Sequence, residues 1–342
     1  MKSRGELICQ CIHLNLRFLS SLKSFYVIGV NMKIGISMPH SGFLADSKNI
    51  SAIATKADIL GFDFLTVSDH IVIPKCVDST MPYSPDGNFN PGDGFCYDPL
   101  TLLSFLSAVT ANIRLVPSVM VVPYRNPIHA AKMISTIDVL SSGRVTIGCG
   151  VGWLKEEFEI LDAHDFHSRG IVTNEYIESM IELWTQSEPS YKGKYIEFEN
   201  ILFTPKPIQT PYPPIWIGGE SEAAIKRAAR IGNGWFPLSQ NPTFPLKTNE
   251  QLNLSLGYLK NELELRNKNI NEFEVVFQPR WANLSEDNYE MLIDKFSQII
   301  ENILELEKLG VTHVLFYFPK IQLTALFHIL DEFADEVLKQ LS

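Results

Sequence analysis

The chain has 342 residues, 45% of them hydrophobic and 20% charged, which is an ordinary composition for a folded protein and excludes an intrinsically disordered one. Its formal net charge of -10 argues against a protein that binds nucleic acid through clustered Lys and Arg. The five cysteines are scattered and lack paired CxxC motifs, which indicates reduced thiols of a cytoplasmic protein and argues against a zinc site.

The first 31 residues show neither a signal peptide nor a membrane-spanning helix. Every apolar stretch there is interrupted by a charged side chain, at Arg4, Glu6, Arg17 or Lys23. The first convincing strand pattern begins only after Met32. We therefore interpret residues 1–31 as an extension or a misassigned start, and residues 32–342 as one domain with no membrane partner.

Along the rest of the chain, short β-branched runs alternate with longer segments of helical periodicity, which is typical of βα units around a parallel sheet. The eight predicted strands are Lys33–Ser37, Phe64–Val67, Ile113–Val122, Arg144–Cys149, Pro214–Gly218, Gly234–Leu238, Phe273–Asn283 and Thr312–Phe318. A doubly wound sheet would carry a phosphate-binding glycine motif after the first strand, and the residues from Ser37 to Gly42 contain none. The sequence therefore predicts an α/β fold, a single (β/α)8 TIM barrel with insertions.

Two long stretches interrupt the repeat. Residues 71–98 follow the second strand and are rich in proline and glycine, so we predict a loop at the carboxyl-terminal face of the barrel that is either a lid or a disordered excursion. We take it as the candidate lid. Its aromatic residues are Tyr83, Phe89, Phe95 and Tyr97. Residues 188–214 are predicted to form a small strand pair at Tyr191–Glu199 and then a proline-rich run, which is an insertion and not a domain.

The second predicted strand is followed by a carboxylate beside an imidazole, Asp69-His70. Because the carboxyl ends of barrel strands converge on one cleft, this pair could fix a cofactor and exchange a proton near neutral pH. The alternative is structural: Asp69 caps the next segment and His70 is a half-buried residue that forms hydrogen bonds.

Glycines follow the fourth and fifth predicted strands. Gly148 to Gly152 would let a ligand approach the backbone, although the spacing differs from a dinucleotide fingerprint. Gly218-Gly219 precede a helix whose free N–H groups could bind a cofactor phosphate, or they form an ordinary capped turn. Glu220 and Glu222 are unfavourable charges for a phosphate site unless they point outward.

Several stretches together carry a resemblance to a known family. In chain order they are Gly61 to His70, Tyr124 to Pro127, Thr136 to Ser141, Gly148 to Phe158, Pro213 to Gly219 and Ala228 to Trp235. They resemble the luciferase-like monooxygenase family, above all its branch that uses the deazaflavin coenzyme F-420. The resemblance implies a bacterial luciferase-like TIM barrel with coenzyme F-420 or FMN in its cleft.

The resemblance also implies a role for each of several residues. Asp69 would bind the ring system, and His70 would be the catalytic acid or base. Ser118-Val119 falls where relatives have a non-prolyl cis peptide that supports the ring. Val151-Gly152 and Gly218-Gly219 would hold the phosphate region through backbone N–H groups.

The chemistry that the resemblance implies is hydride transfer between F-420 and a small organic substrate. Sugar-phosphate-oxidising relatives have an acidic residue after Gly152, whereas Trp153 here favours an apolar substrate pocket or ring stacking. One alternative is an FMN-dependent monooxygenase that activates oxygen and needs a flavin reductase as partner. Another is a non-catalytic flavin-binding barrel. Family habit predicts a homodimer.

Overall fold

A parallel sheet forms the centre of the protein. The computed structural model describes residues 31–84, 86–90, 92–284 and 295–341, so the predicted extension lies outside these residues except for Asn31. The strands are β1 (Lys33–Ser37), β2 (Phe64–Val67), β3 (Arg114–Pro117), β4 (Met120–Val121), β5 (Ile147–Gly150), β6 (Tyr191–Lys192), β7 (Glu197–Phe198), β8 (Ile215–Gly218), β9 (Gly234–Phe236), β10 (Glu274–Phe277) and β11 (His313–Phe316). Of these, β6 and β7 form the separate antiparallel pair predicted in the insertion.

The remaining strands close into a barrel. Their hydrogen-bonded order is β3-β2-β1-β11-β10-β9-β8-β5-β4, and the paired strands are parallel. Strand β4 continues β3 after a break, and a bridge between Leu115 and Val145 joins β3 to the segment that leads into β5. The two ends of the sheet therefore meet, and the predicted TIM barrel is confirmed.

Helices cover the outside of this barrel. They are α1 (Ser47–Leu60), α2 (Pro99–Val109), α3 (Pro127–Leu140), α4 (Lys155–Ile160), α5 (Arg169–Thr185), α6 (Glu222–Ile231), α7 (Asn249–Glu264), α8 (Phe296–Leu309) and α9 (Leu323–Phe333). Helix α3 illustrates how the sequence sets a boundary, because the Asn126 side chain accepts hydrogen bonds from the Ile128 and His129 amides and Pro127 begins the helix. Among the described residues, no helix is both long and apolar enough to cross a membrane.

The core has two layers. Apolar faces of the helices pack against the outer face of the sheet in one large cluster. A second cluster fills the inside of the barrel with side chains from the strands: Phe64, Val116, Trp216, Phe236, Val276 and Leu315. The barrel interior is thus a packed core, and space for a ligand lies beyond the ends of the strands.

Two strand predictions are wrong in extent. The strand predicted over Ile113–Val122 is interrupted at Ser118-Val119, where the peptide bond is cis. The strand predicted over Phe273–Asn283 ends at Phe277, because Pro279 has no amide to continue the ladder and residues Arg280–Ala282 form a 3-10 turn. The other predicted barrel strands overlap the observed ones.

Candidate active site

A cavity of about 560 Å³ opens at the carboxyl ends of the barrel strands, and we call it the reaction cavity. It is lined by all eight residues predicted as site residues: Asp69, His70, Ser118, Val119, Val151, Gly152, Gly218 and Gly219. The structure thus brings together residues that the sequence separates by up to 150 positions. Their individual roles stay predictions.

A second cavity, of about 660 Å³, lies at the opposite end of the barrel, around the amino-terminal ends of the strands. Barrel enzymes place their chemistry at the carboxyl ends, where the βα loops meet. The glycines and the His70 imidazole also lie at that carboxyl-terminal end. We therefore assign the candidate active site to the reaction cavity.

The Val119 side chain lies among glycines at the wall of the reaction cavity. The Ser118-Val119 peptide is cis, as the resemblance implied. A Cβ atom on Gly150 would lie 2.4 Å from Val119 Cγ2, and one on Gly218 would lie 3.0 Å from Val119 Cγ1. Since real Cβ atoms keep a greater distance than 2.4 Å, position 150 needs glycine to make room for the valine, and the contact at position 218 would be tight.

His70 is held by a buried carboxylate on helix α4. Its Nδ1 atom lies 2.8 Å from Glu157 Oε2, and the Glu157 side chain is fully buried. Glu157 Oε1 accepts hydrogen bonds from the Ile71 and Val72 amides at 2.7 and 3.1 Å. The Tyr124 hydroxyl donates to Glu157 Oε2 at 3.1 Å.

These contacts decide which imidazole nitrogen is available. With the Glu157 carboxylate accepting all four hydrogen bonds, Nδ1 of His70 carries a proton and donates it. Nε2 of His70 is then the ring nitrogen that Glu157 does not bind. Glu157 and Tyr124 were not identified from the sequence, because 87 residues separate His70 from Glu157 and no local pattern links them.

Asp69 forms an ion pair inside the protein. Its carboxylate receives two hydrogen bonds from Arg125, at 2.6 and 2.8 Å, and one from the Val121 amide at 2.8 Å. Arg125 also binds Asp98, which caps helix α2. Burial raises the pKa of Asp69, and the Arg125 guanidinium opposes that shift. Asp69 therefore ties the end of β2 to β4, and its role in binding the ring system stays a prediction.

The opposite wall has features of an anion site. Gly152 and Gly219 have φ angles of 80° and 108°, which favour glycine, and Gly219 lies just before helix α6. Arg169 lines this wall and donates from Nε to the Gly152 carbonyl at 3.1 Å. Gly152, Gly219 and Arg169 thus all line the reaction cavity, and helix α6 begins shortly after Gly219.

Two glutamates near this wall behave differently. Glu222 is exposed and so meets the condition for a phosphate site. Glu220 is buried and lines the cavity, so for this residue the condition is not met and its charge counts against a phosphate nearby. The Leu238 amide and the Asn241 side chain donate to Glu220 at 2.9 and 2.7 Å, and burial raises the pKa of Glu220. Its charge is therefore partly compensated inside the fold.

The long loop after β2 covers one side of the cavity. Its residues Thr80 to Tyr83 line the cavity, and the Phe89 ring lies 5.7 Å from the His70 ring and 5.2 Å from the Trp153 indole. Glu156 anchors this loop, because its Oε1 accepts from the Asp78 and Ser79 amides at 2.7 and 2.9 Å. Pro85 and Pro91 of the loop lie outside the described residues. The loop has the position predicted for a lid.

Metal chemistry has no visible support in the described part of the chain. There, no group of three or more His, Cys, Asp or Glu side chains is arranged to hold a metal ion. Cys149 is buried, and burial raises the pKa of its thiol to about 12.

Comparison with known proteins agrees with this geometry. A family model described as luciferase-like monooxygenase matches residues 29–251. An uncharacterized protein of Mycobacterium tuberculosis is 31% identical over 273 residues, which cover 79% of this chain and 86% of that protein. The FMNH(2)-dependent dimethylsulfone monooxygenase of Pseudomonas putida is 31% identical over 144 residues, which cover 41% of this chain and 39% of that enzyme.

A solved structure shares the fold. The coenzyme F420-dependent tetrahydromethanopterin reductase of Methanopyrus kandleri superposes with a TM-score of 0.67 at 16% sequence identity. The superposition covers 91% of this chain and 99% of the reductase. At this identity the likeness concerns the barrel architecture alone.

Proposed function

The chain belongs to the luciferase-like monooxygenase family, and from that premise we propose that it transfers hydride between coenzyme F-420 and a small organic substrate. The observation that carries the proposal is the His70 imidazole, which Glu157 orients at the wall of a glycine-lined cavity. The proposal requires a flat redox ring in the reaction cavity, a proton relay beside it and an anion site for its phosphate.

The residues of the cavity fit such a cofactor. Val119 and Leu315 provide an apolar surface for a ring, and Gly150 leaves room for the Val119 side chain. Gly152 and Gly219 line the cavity without side chains, and a Cβ on Gly152 would collide with Phe158 and Val121, at 2.7 and 2.8 Å, so the backbone there must stay bare. When bound, the deazaflavin accepts or donates a hydride at its central ring.

The protein supplies orientation, a proton and protection from water. His70 Nε2 exchanges the proton that balances the hydride, and Glu157 keeps Nδ1 protonated throughout. Trp153 lines the cavity and contacts the Phe89 ring, and this aromatic border lowers the local dielectric and favours an uncharged reacting group. Asp69 acts through Val121 and Arg125 by fixing the strand next to Val119.

An FMN-dependent monooxygenase is the second candidate. It is supported by the Pseudomonas putida relative, whose name states that it depends on FMNH(2). In this case a flavin reductase would be a partner. A phosphate on FMN would use the same wall of Gly219 and Arg169 as the F-420 phosphate, so the anion site does not separate the two candidates.

The test is to titrate purified protein with F-420 and with FMN separately and to follow their visible absorption. We expect F-420 to bind. We also expect small alcohols that are substrates to bleach the visible absorption band of the oxidised coenzyme. FMN binding without F-420 binding would replace the proposal with the monooxygenase. Binding of a cofactor without turnover on any alcohol or carbonyl compound would favour a non-catalytic barrel.

A variant tests the proton role. His70→Asn should lower turnover about a hundredfold, with cofactor affinity nearly unchanged, because a general acid or base contributes about that factor. His129→Asn is the matched control, since His129 lies on helix α3 and does not line the reaction cavity. Equal turnover in the two variants would refute the assignment of His70.

A further inference from the structure

The segment between β9 and α7 forms part of the wall of the reaction cavity. Leu238, Asn241 and Phe244 of this segment line the cavity. Phe244 is 43% exposed, so its ring is not buried in the core of the protein. Single exposed apolar residues are common on protein surfaces, so exposure alone assigns no role to Phe244.

A buried carboxylate holds this segment in place. Glu220 Oε1 accepts a hydrogen bond from the Leu238 amide at 2.9 Å, and Glu220 Oε2 accepts one from Asn241 Nδ2 at 2.7 Å. Asn241 Oδ1 in turn accepts from the amides of Thr243 and Phe244, at 3.0 and 3.4 Å. A chain of hydrogen bonds therefore connects the Glu220 carboxylate to the backbone of Phe244.

This arrangement is unfavourable for an ordinary surface loop. Burial raises the pKa of Glu220, and in the described part of the chain no Lys, Arg or His side chain is among its contacts. A buried carboxylate that is stabilised only by neutral donors lowers the stability of the fold. Such groups are concentrated at functional sites, where the position of a wall matters for the ligand. The cost thus indicates that the position of the segment serves the reaction cavity.

The side chains on this side of the cavity favour an uncharged, apolar ligand group. Leu238 and Phe244 line the cavity, as do Met81 and Pro82 of the long loop after β2. Contact with such side chains removes apolar surface of a ligand from water, which favours binding. The charge of Glu220 disfavours an anionic group in the same region.

We propose that Phe244 is a specificity-determining contact for an uncharged, apolar group of the substrate, and that Glu220 is the positioning residue that holds Phe244 at the cavity wall. The substrate class is then an alcohol or carbonyl compound that carries an aromatic or branched aliphatic group. Glu220 acts through Asn241 and does not touch the substrate. The redox step rests on the proposed function, whereas binding of the apolar group does not.

The probe is benzyl alcohol, titrated into cofactor-free protein and followed by ligand-observed NMR. Phe244→Ala should weaken its binding about tenfold, as expected for the loss of one aromatic contact. Phe105→Ala is the matched control, because Phe105 is 41% exposed on helix α2 and does not line the reaction cavity. The proposal is overturned if benzyl alcohol does not bind, or if its affinity in the Phe244 variant is not below that in the Phe105 variant.

The positioning role is tested by Glu220→Gln. Its carboxamide has one acceptor oxygen, so its NH₂ group would face either the Leu238 amide or the Asn241 NH₂ group, which are both donors. We expect faster hydrogen exchange of the Thr243 and Phe244 amides and several-fold weaker binding of benzyl alcohol. A lower midpoint of thermal unfolding with unchanged exchange and affinity would show that Glu220 serves only the fold.

A double variant, Glu220→Gln with Asn241→Asp, should rescue both properties. The new glutamine would accept from the Leu238 amide and donate to the new aspartate, whose other oxygen would accept from the Thr243 and Phe244 amides. Amide exchange and benzyl alcohol affinity should then return to the wild-type values. A double variant that behaves no better than E220Q would contradict the proposed chain of hydrogen bonds.

Turnover separates this inference from the proposed function. With F-420 as the oxidant, Phe244→Ala should lower kcat/KM for benzyl alcohol about tenfold and leave kcat/KM for isopropanol nearly unchanged. An equal loss for both alcohols would overturn the specificity role while the proposed function stands. If neither alcohol bleaches F-420 although benzyl alcohol binds as predicted, the proposed function fails and the apolar contact stands.

Discussion

Replacing Glu157 with glutamine should change the proton position on His70 while the fold persists. In the E157Q variant, the carboxamide oxygen can still accept hydrogen bonds from the Ile71 and Val72 amides. The NH₂ group of the carboxamide would face His70 Nδ1, which must then become an acceptor. The imidazole proton would move to Nε2, so the nitrogen that we propose as the base would become a donor.

The size of the effect follows from these hydrogen bonds. E157Q preserves the two amide contacts, gives His70 a new donor and requires the Tyr124 hydroxyl to turn from donor to acceptor, so we expect a loss of only about 1 kcal/mol in the free energy of unfolding. Turnover should fall about a hundredfold, because the wrong tautomer of a catalytic histidine is inactive in proton exchange. Glu157→Ala would instead leave four donors without an acceptor and cost about 4 kcal/mol.

The assay combines nitrogen-15 NMR of labelled histidine with urea unfolding and turnover. Glu159→Gln is the matched control, since Glu159 is exposed on the same helix. The reasoning is refuted if the His70 tautomer in E157Q equals that of the wild type, or if E157Q turns over as fast as the Glu159 variant.

Two further predictions concern stability. Gly150→Ala should lower the free energy of unfolding by about 1–3 kcal/mol, because its Cβ would lie 2.4 Å from Val119 Cγ2. Adding Val119→Ala should recover part of that loss, as measured by urea unfolding. If the losses of the two substitutions simply add, the contact is contradicted. Burial lowers the pKa of His313 from 6.5 to about 3, so the unfolded chain binds a proton in this window that the folded chain excludes. Stability contributed by neutral His313 is therefore present above pH 6.5 and is lost as the pH falls toward 3. Between these two pH values, His313→Gln should reduce the slope of the unfolding free energy against pH by up to about 1.4 kcal/mol per pH unit. An unchanged slope would contradict the burial argument.

Much of the fold could be predicted from local patterns. Strands β1 and β2 have the predicted bounds, because each is a short apolar run that ends at polar or turn-forming residues. Helix α3 begins where Asn126-Pro127 indicated. The break between β3 and β4 could not be predicted from periodicity, since the residues around Ser118-Val119 form a nearly continuous apolar run. Only the family resemblance placed a cis peptide there.

The sequence was sufficient to predict which residues line the site, but not the hydrogen bonds and ion pairs that connect them. Strand ends converge in any barrel, so His70 and the glycines could be assigned to one cavity from their positions. Glu157 and Arg125 act through contacts across 87 and 56 residues of sequence, and such pairings leave no local signal. Adjacent glutamates in the short helix α4 look alike in sequence, although Glu156 anchors the loop and Glu157 binds His70.

The most direct test of the central claim is a crystal structure of the protein with oxidised F-420. The account predicts the ring in the reaction cavity, against Val119 and beside His70, with its phosphate at Gly219 and Arg169. A ring bound elsewhere, or a phosphate at the opposite end of the barrel, would contradict it.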